Sequence, residues 1–310
     1  MRLNVGMAVR PVSTDRSPAD MLLRLKTWGY RVFYRLISAR QWRGKYPDPD
    51  TSTLQIPGPA GSIEARMYTA TATGERPLIL YFHGGGWVIG DLDTHHPFCQ
   101  QLAHKTGATV LALNYRLAPE HPWPAAQDDC LAAAEWVATH LNELGPSNGR
   151  IVIAGDSAGG NLTACTCLTM TAPALIRVSG VATLYPAVDH YLRDWPSYQE
   201  RARASALTST LMRWFWDTYL GQTSPEQALK ARPMQANNLA SLPPLFNVTA
   251  EMDPLRDEGQ AFARVVKGEG VPVQHRHFAD AAHGFACSEG PTDNFKAVLD
   301  DFDNWLAGLH

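Results

Sequence analysis

Between residue 78 and the C-terminus, short apolar runs alternate with longer stretches of helical period, and this alternation leaves the chain few folds to adopt. The runs are LILYF (78–82), ATVLALNY (108–115), RIVIAG (150–155), VSGVATLYP (178–186), PPLFNVTA (243–250) and VPVQHRHF (271–278). Most are suited to strands buried on both faces, which need no alternation of apolar and polar residues. Helical stretches fall between most of them, at about 94–106, 125–142, 158–170, 255–268 and 291–308. Strands alternating with helices specify an α/β fold, a mostly parallel sheet covered on both faces. Earlier in the chain, IEARMYT (63–69) does alternate, and the turn-rich TATGERP (71–77) after it suggests an antiparallel hairpin with LILYF.

Two segments stand outside this rhythm. Residues 17–41 open on Ser17-Pro18-Ala19-Asp20, an N-cap with proline at the first helical position. Met21, Leu25, Trp28, Val32 and Leu36 then recur at helical spacing, with Arg24, Lys26, Arg31 and Arg35 on the opposite face. The expectation for this basic amphipathic helix is that its apolar stripe docks on the protein's own body rather than on a membrane. YPDPDTST (46–53) breaks the helix. Residues 187–240 hold no strand-like run but include an aromatic helix, TSTLMRWFWDTYLG (208–221). The expected organisation is a core of residues 46–187 and 239–310 with a helical cap of residues 1–45 and 188–238.

Apolar residues make up 45% of the 310, enough for a sizeable core, and the net charge of −3 gives no basic field for nucleic acid. The five cysteines, Cys99, Cys130, Cys165, Cys167 and Cys287, have neither zinc-ligand spacing nor a disulfide pattern, so free or buried thiols are expected. The first twenty residues lack the apolar core of a signal peptide, and no run approaches 18 apolar residues. A cytoplasmic protein with no stable membrane insertion is expected, with a homodimer left open.

Chemistry concentrates in a few motifs. GDSAGG (155–160) joins the apolar strand RIVIA to an apolar helix, the strand–turn–helix context in which Gly-x-Ser-x-Gly forms a nucleophile elbow. Ser157 would be thrust up at the turn, facing a helix N-terminus that favours negative charge. A serine hydroxyl needs a base. His275 and His277 share one face inside a strand; His95, His96 and His140 sit at helix ends and read as surface polar residues. His283 lies just past the last strand, where ligand-facing groups of such sheets collect, and is the expected base. Asp253, three residues past PPLFNVTA, completes the chain order serine, acid, histidine. Glu251 lies nearer the strand, and Asp257 and Glu258 fall within the next helix.

HGGGWVIGD (83–91) lacks the lysine and hydroxyl of a phosphate loop, and Gly84, Gly86 and Gly90 miss the dinucleotide spacing. It fits a loop that aims backbone N–H groups at an oxyanion, where bare glycines permit an approach of roughly 2.7–3.1 Å. Gly84 and Gly85 are the expected donors, Gly86 a steric necessity, and His83 structural. Trp195, Trp214, Phe215, Trp216 and Tyr219 make the insertion aromatic. They suit the cap's own core, or a wall for an acyl chain. Trp87, Tyr185, Trp214 and Phe215 are the candidate pocket residues.

HGGGW, YRLAPEHPWPAA (115–126), GDSAGG, DPLRDEG and HGF together resemble the hormone-sensitive-lipase family of α/β-hydrolase carboxylesterases. The resemblance runs from about residue 46 to the C-terminus. It implies Ser157, Asp253 and His283 as the triad, the Gly84, Gly85 and Ala158 N–H groups as the oxyanion hole, and a helical cap. It also implies hydrolysis of small-molecule esters, with no metal or organic cofactor. The cap's limited room argues for short or medium acyl groups. The alternatives are an amidase or peptidase using the same triad, and a non-catalytic small-ligand receptor of the same fold, which can lack the base that His283 supplies here.

Overall fold

The computed structural model describes residues 18–43, 51–69, 76–288 and 290–309. Ser17, residues 46–50 of the proline-rich break and residues 71–75 of the expected turn lie outside them. The strands are β1 (Thr51–Gly58), β2 (Gly61–Tyr68), β3 (Leu78–Phe82), β4 (Val110–Leu113), β5 (Ile151–Asp156), β6 (Val178–Leu184), β7 (Leu245–Met252) and β8 (Val273–Ala282). The helices are α1 (Pro18–Trp42), α2 (His96–Thr106), α3 (Ala125–His140), α4 (Ala158–Thr169), α5 (Ala172–Leu175), α6 (Pro196–Glu200), α7 (Ser209–Leu220), α8 (Arg256–Gly268), α9 (Phe285–Ser288) and α10 (Asp293–Ala307).

The strands form one eight-stranded sheet in the order β1-β2-β4-β3-β5-β6-β7-β8. β2 runs antiparallel to both of its neighbours, β1 and β4, while β4, β3 and β5 to β8 are mutually parallel. Successive side chains of a strand point to opposite faces, so β3 feeds two cores. Leu78, Leu80 and Phe82 pack on the α3–α4 side, while Ile79 and Tyr81 pack with α2 and α10 on the other. The uninterrupted apolar run needed for such a strand is what LILYF supplies.

The expected hairpin between 63–69 and 78–82 does not form. β2 pairs instead with β1, through a two-residue turn from Gly58 to Gly61, and with β4, from Ala65↔Leu113 to Tyr68↔Val110. Both edges of β3 are taken by its parallel neighbours, so no edge is left for β2. The unforeseen β1 contains Pro57, which a strand tolerates at the edge of a sheet.

The register sets what meets at the top of the sheet. Phe82 pairs with Gly155, so the glycine loop after β3 and the elbow after β5 leave the sheet side by side. Met252 pairs with Ala282, so Asp253 and His283 are each the next residue beyond a matched pair on adjacent strands.

Helix α1 docks the reverse of the expected way. Thr27, Ser38 and Trp42 are buried, whereas Met21, Leu25, Trp28, Val32 and Leu36 are all exposed. The side facing the body is aromatic and basic. Arg31 donates to the Val88 and Ala118 carbonyls and pairs with Glu120; Arg35 pairs with Asp91. Ser38 donates to the Thr94 carbonyl, and Trp42 Nε1 to that of Cys287. The Val88, Ala118 and Thr94 carbonyls belong to loops above the sheet, where the sheet supplies no partner; Arg31 satisfies the first two and Ser38 the third.

The 187–240 interval contains no strand and holds α6 and α7. Trp87 stacks on Tyr219 at 4.3 Å between centroids and meets Trp216 at 4.4 Å, which seats α7 on the loop after β3. Glu258, fully buried in α8, accepts from the Val188 and Asp189 N–H groups and from the Tyr198 hydroxyl, fixing the insertion's entry. Burial pushes its carboxyl well above the usual range of about 4.5. The native state therefore holds a proton that the unfolded chain releases, and stability falls as pH rises above the unfolded value. Glu258→Gln, isosteric with the protonated acid, removes that slope. In urea unfolding, the stability of the variant relative to wild type should rise between about pH 5 and pH 8. A difference that stays constant over that range would mean an ionised Glu258.

Candidate active site

Ser157 sits between β5 and α4 at φ 53°, ψ −117°, a conformation that costs a non-glycine residue of order 1–3 kcal/mol. Surrounding bonds hold it there. Its N–H donates to the Leu184 carbonyl (2.8 Å), and its own carbonyl accepts from Asn161 and Ala187. Gly159 passes so close to the backbone of β3 that a Cβ would overlap the Phe82 carbonyl, which explains the glycine two residues past the serine.

The structure brings the three sequence-predicted residues together. Ser157 Oγ lies 2.9 Å from His283 Nε2, and His283 Nδ1 lies 2.8 Å from Asp253 Oδ2. An ionised carboxylate only accepts, so Nδ1 carries the proton and Nε2 is left to accept from the serine hydroxyl. Asp253 is fully buried, and its Oδ1 accepts from the Leu255 N–H at 2.8 Å. Tyr185 meets His283 edge-on, with centroids 5.1 Å apart, and limits the ring's tilt.

The glycine loop departs from expectation at one position. The Gly84 N–H donates to Asp156 Oδ1 at 2.8 Å and is not available to an oxyanion. Gly85, Gly86 and Ala158 border the cavity above Ser157, and their N–H groups have no hydrogen-bond partner among the described residues. Gly86 is also a steric necessity, since it adopts φ 59° and a Cβ there would enter the Phe215 ring. The sequence shows three glycines in a row; that Asp156 takes the first N–H depends on the β3–β5 register.

Asp156 anchors this corner. Besides Gly84 it accepts from the Tyr81 hydroxyl at 2.7 Å, and His95 Nε2 lies 3.4 Å away. Burial pushes the carboxyl up, but His95 and the Tyr81 hydrogen bond outweigh this and hold it below its ordinary range. His95 is thus buried beside a carboxylate rather than on the surface, as the sequence suggested. His83 is structural. Its Nδ1 bonds the Gly84 carbonyl at 2.7 Å, its ring stacks on Tyr115, and burial together with His95 pushes its pKa down to about 4.

His95, Asp156 and Cys287 place three metal-type donors within 4.8 Å of one another. Burial and the Asp156 charge push the Cys287 thiol well up, and Asp156 Oδ1 is committed to Tyr81 and Gly84, so the trio reads as a hydrogen-bonded network. Thr249 Oγ1 joins His275 and His277.

The cavity holds about 200 Å³ and is mostly apolar. Of the four candidate pocket residues, Trp87 and Phe215 border it. Tyr185 does not, because it packs beneath His283 and Phe285, and Trp214 turns away to Tyr30 and Lys26. Tyr30, Phe33 and Tyr34 of α1 are wall residues that the sequence reading missed. Their i, i+3, i+4 spacing was a signal, but it lay beside the more apolar stripe.

Comparisons with known proteins identify the family and the fold. A family model described as alpha/beta hydrolase fold matches residues 79–287. The carboxylic ester hydrolase LipN of Mycobacterium tuberculosis is 39% identical over 76% of this chain, and the aligned part spans 64% of LipN, just under two thirds of its length. Esterase LipI of the same organism is 38% identical over 77% of this chain and 76% of its own. Among solved structures, a hyperthermophilic esterase from Pyrobaculum calidifontis superposes with a TM-score of 0.84 at 33% identity, covering 95% of this chain and 99% of that one. EstE1, a thermostable carboxylesterase from a metagenomic library, gives 0.83 at 36% identity, covering 96% and 100%. The chain belongs to the alpha/beta hydrolase family.

A serine hydroxyl hydrogen-bonded to an imidazole, as Ser157 is to His283, is expected to react selectively. A fluorophosphonate should label Ser157 stoichiometrically, and His283→Ala should slow labelling by at least about 100-fold. Mass mapping of the label to another serine would exclude the arrangement.

Proposed function

We propose that the protein is a serine carboxylesterase that hydrolyses small esters with short to medium acyl groups. The observation that carries the proposal is the continuous chain from Ser157 Oγ through His283 to the buried Asp253, beneath an apolar cavity bordered by unpaired N–H groups. Ser157 attacks the ester carbonyl as His283 takes its proton, and Asp253 steadies the imidazolium. Gly85, Gly86 and Ala158 donate to the oxyanion, each contributing about 10²–10³ in rate. His283 then returns the proton to the leaving alcohol. Water, activated by the same imidazole, frees the acid and regenerates Ser157.

The names of the relatives support the reaction class, including an ethyl acetate hydrolase of Pseudomonas putida at 34% identity. The cavity supports the substrate class, since about 200 Å³ closed by Phe215, Leu211 and Met212 leaves little room for a long chain. Residues 46–187 and 239–310 serve as the catalytic core, and 1–45 and 188–238 as a cap that closes over it.

A panel of p-nitrophenyl esters of increasing acyl length tests this. Activity should peak at short to medium chains, and Ser157→Ala should lose at least about 10⁴ in kcat. Asp253→Asn should lose about 10⁴ with little change in KM, because it leaves the imidazole in the wrong tautomer. Wild-type turnover in the Ser157→Ala protein would overturn the mechanism, and a maximum at long-chain triglycerides would overturn the substrate class.

A further inference from the structure

The outer face of α1 carries an apolar ridge that nothing among the described residues covers. Leu22 is 69% exposed, Trp28 65% and Leu36 66%, with Met21, Leu25 and Val32 between them. At 100° per residue these side chains fall on one side of the helix, opposite the Arg31–Ser38 side that docks on the body. Seven large apolar side chains exposed along one helix, counting Phe33, exceed the scattered single residues of an ordinary surface.

Three features define what the ridge takes. First, its border is basic. Lys26 is exposed beside it, and exposed Arg40 and Arg43 continue it past Leu36, on a chain whose net charge is −3. Second, Arg31 and Arg35 are spent on Glu120 and Asp91, so the helix is pinned with its apolar side outward. Third, Phe33 is 62% exposed and also borders the cavity over Ser157, which makes the ridge continuous with the cavity mouth. A second copy seated on the ridge would cover that mouth. A lipid surface would not block it in the same sense, because it is itself a source of apolar esters.

We propose that the outer face of α1 is a docking site for an anionic lipid surface, with the apolar ridge entering the headgroup–acyl boundary and the flanking Lys26, Arg40 and Arg43 meeting lipid charge. Binding is interfacial, not spanning; no described helix is long and apolar enough to cross a membrane. Docked this way, the cavity mouth at Phe33 opens at the surface, and lipophilic esters can pass into it without crossing water. The delivery step rests on the esterase reading, whereas the docking step does not.

Vesicle flotation of the full chain separates the two. Wild type should float with equimolar phosphatidylcholine–phosphatidylglycerol vesicles, and weakly with phosphatidylcholine alone or at high salt. Replacing Leu22, Leu25, Trp28 and Leu36 together by Gln should lower the partition coefficient at least about tenfold. None of the four borders the cavity, so hydrolysis of soluble p-nitrophenyl acetate should not change. Ser157→Ala should float as wild type does, whatever its activity. Three results would overturn the proposal. Wild type could fail to float with any vesicle, it could float only after deletion of residues 1–17, or it could form a dimer that the four-residue variant converts to monomer.

Discussion

A buried carboxylate, Asp156, holds the top of the sheet together. Taking a charge out of water costs several kcal/mol unless donors replace the solvent. Here the Tyr81 hydroxyl and the Gly84 N–H both donate to Oδ1, with His95 close by. Tyr81 is in β3, Gly84 in the loop after it, and Asp156 ends β5, so one side chain ties the glycine loop to the elbow. That tie consumes the first N–H of the glycine run, while the next two residues border the cavity. It also steadies the residue before Ser157, whose strained backbone needs fixed neighbours on both sides.

The sheet's centre was legible because its strands are buried on both faces. Six apolar runs and five helical stretches, placed by period alone, lie within a few residues of β3–β8 and of α2, α3, α4, α8 and α10. The juxtaposition of Ser157, His283 and Asp253 was legible for a related reason. Each follows a strand, and in a parallel sheet the ends of successive strands lie along one rim. What the residues did not disclose was pairing. β1 is an edge strand and β2 lies next to it, and their partners are chosen by which edges the central strands leave open, a property of the assembled sheet. That the Gly84 N–H is taken by Asp156 was hidden for the same reason, since it turns on which side chain stands across from the loop.

Helix α1 marks a different limit. Its period was read correctly, but amphipathicity says only that two faces differ. Which face turns inward was decided by what the body offered. That surface presents loop carbonyls and two carboxylates, Glu120 and Asp91, and these suit guanidinium groups better than leucines. Aromatic Tyr30 and Tyr34 add apolar contact on the same inward face without needing the stripe.

Phe215 joins α7 to the glycine loop more tightly than a hinged cover would require. Its ring fills the space where a side chain at Gly86 would begin, so the missing Cβ serves the packing of α7 as much as the loop. Trp87, the next residue, stacks on Tyr219 one turn further along α7. The loop and the aromatic helix therefore interlock at adjacent positions on each. Displacing α7 would empty the slot at Gly86 and expose Trp87, losing aromatic burial worth several kcal/mol. The backbone at Gly84–Gly86 is thus held both by Asp156 on one side of the loop and by Phe215 on the other. The aromatic content of the insertion acts on the site through packing as well as by lining the cavity.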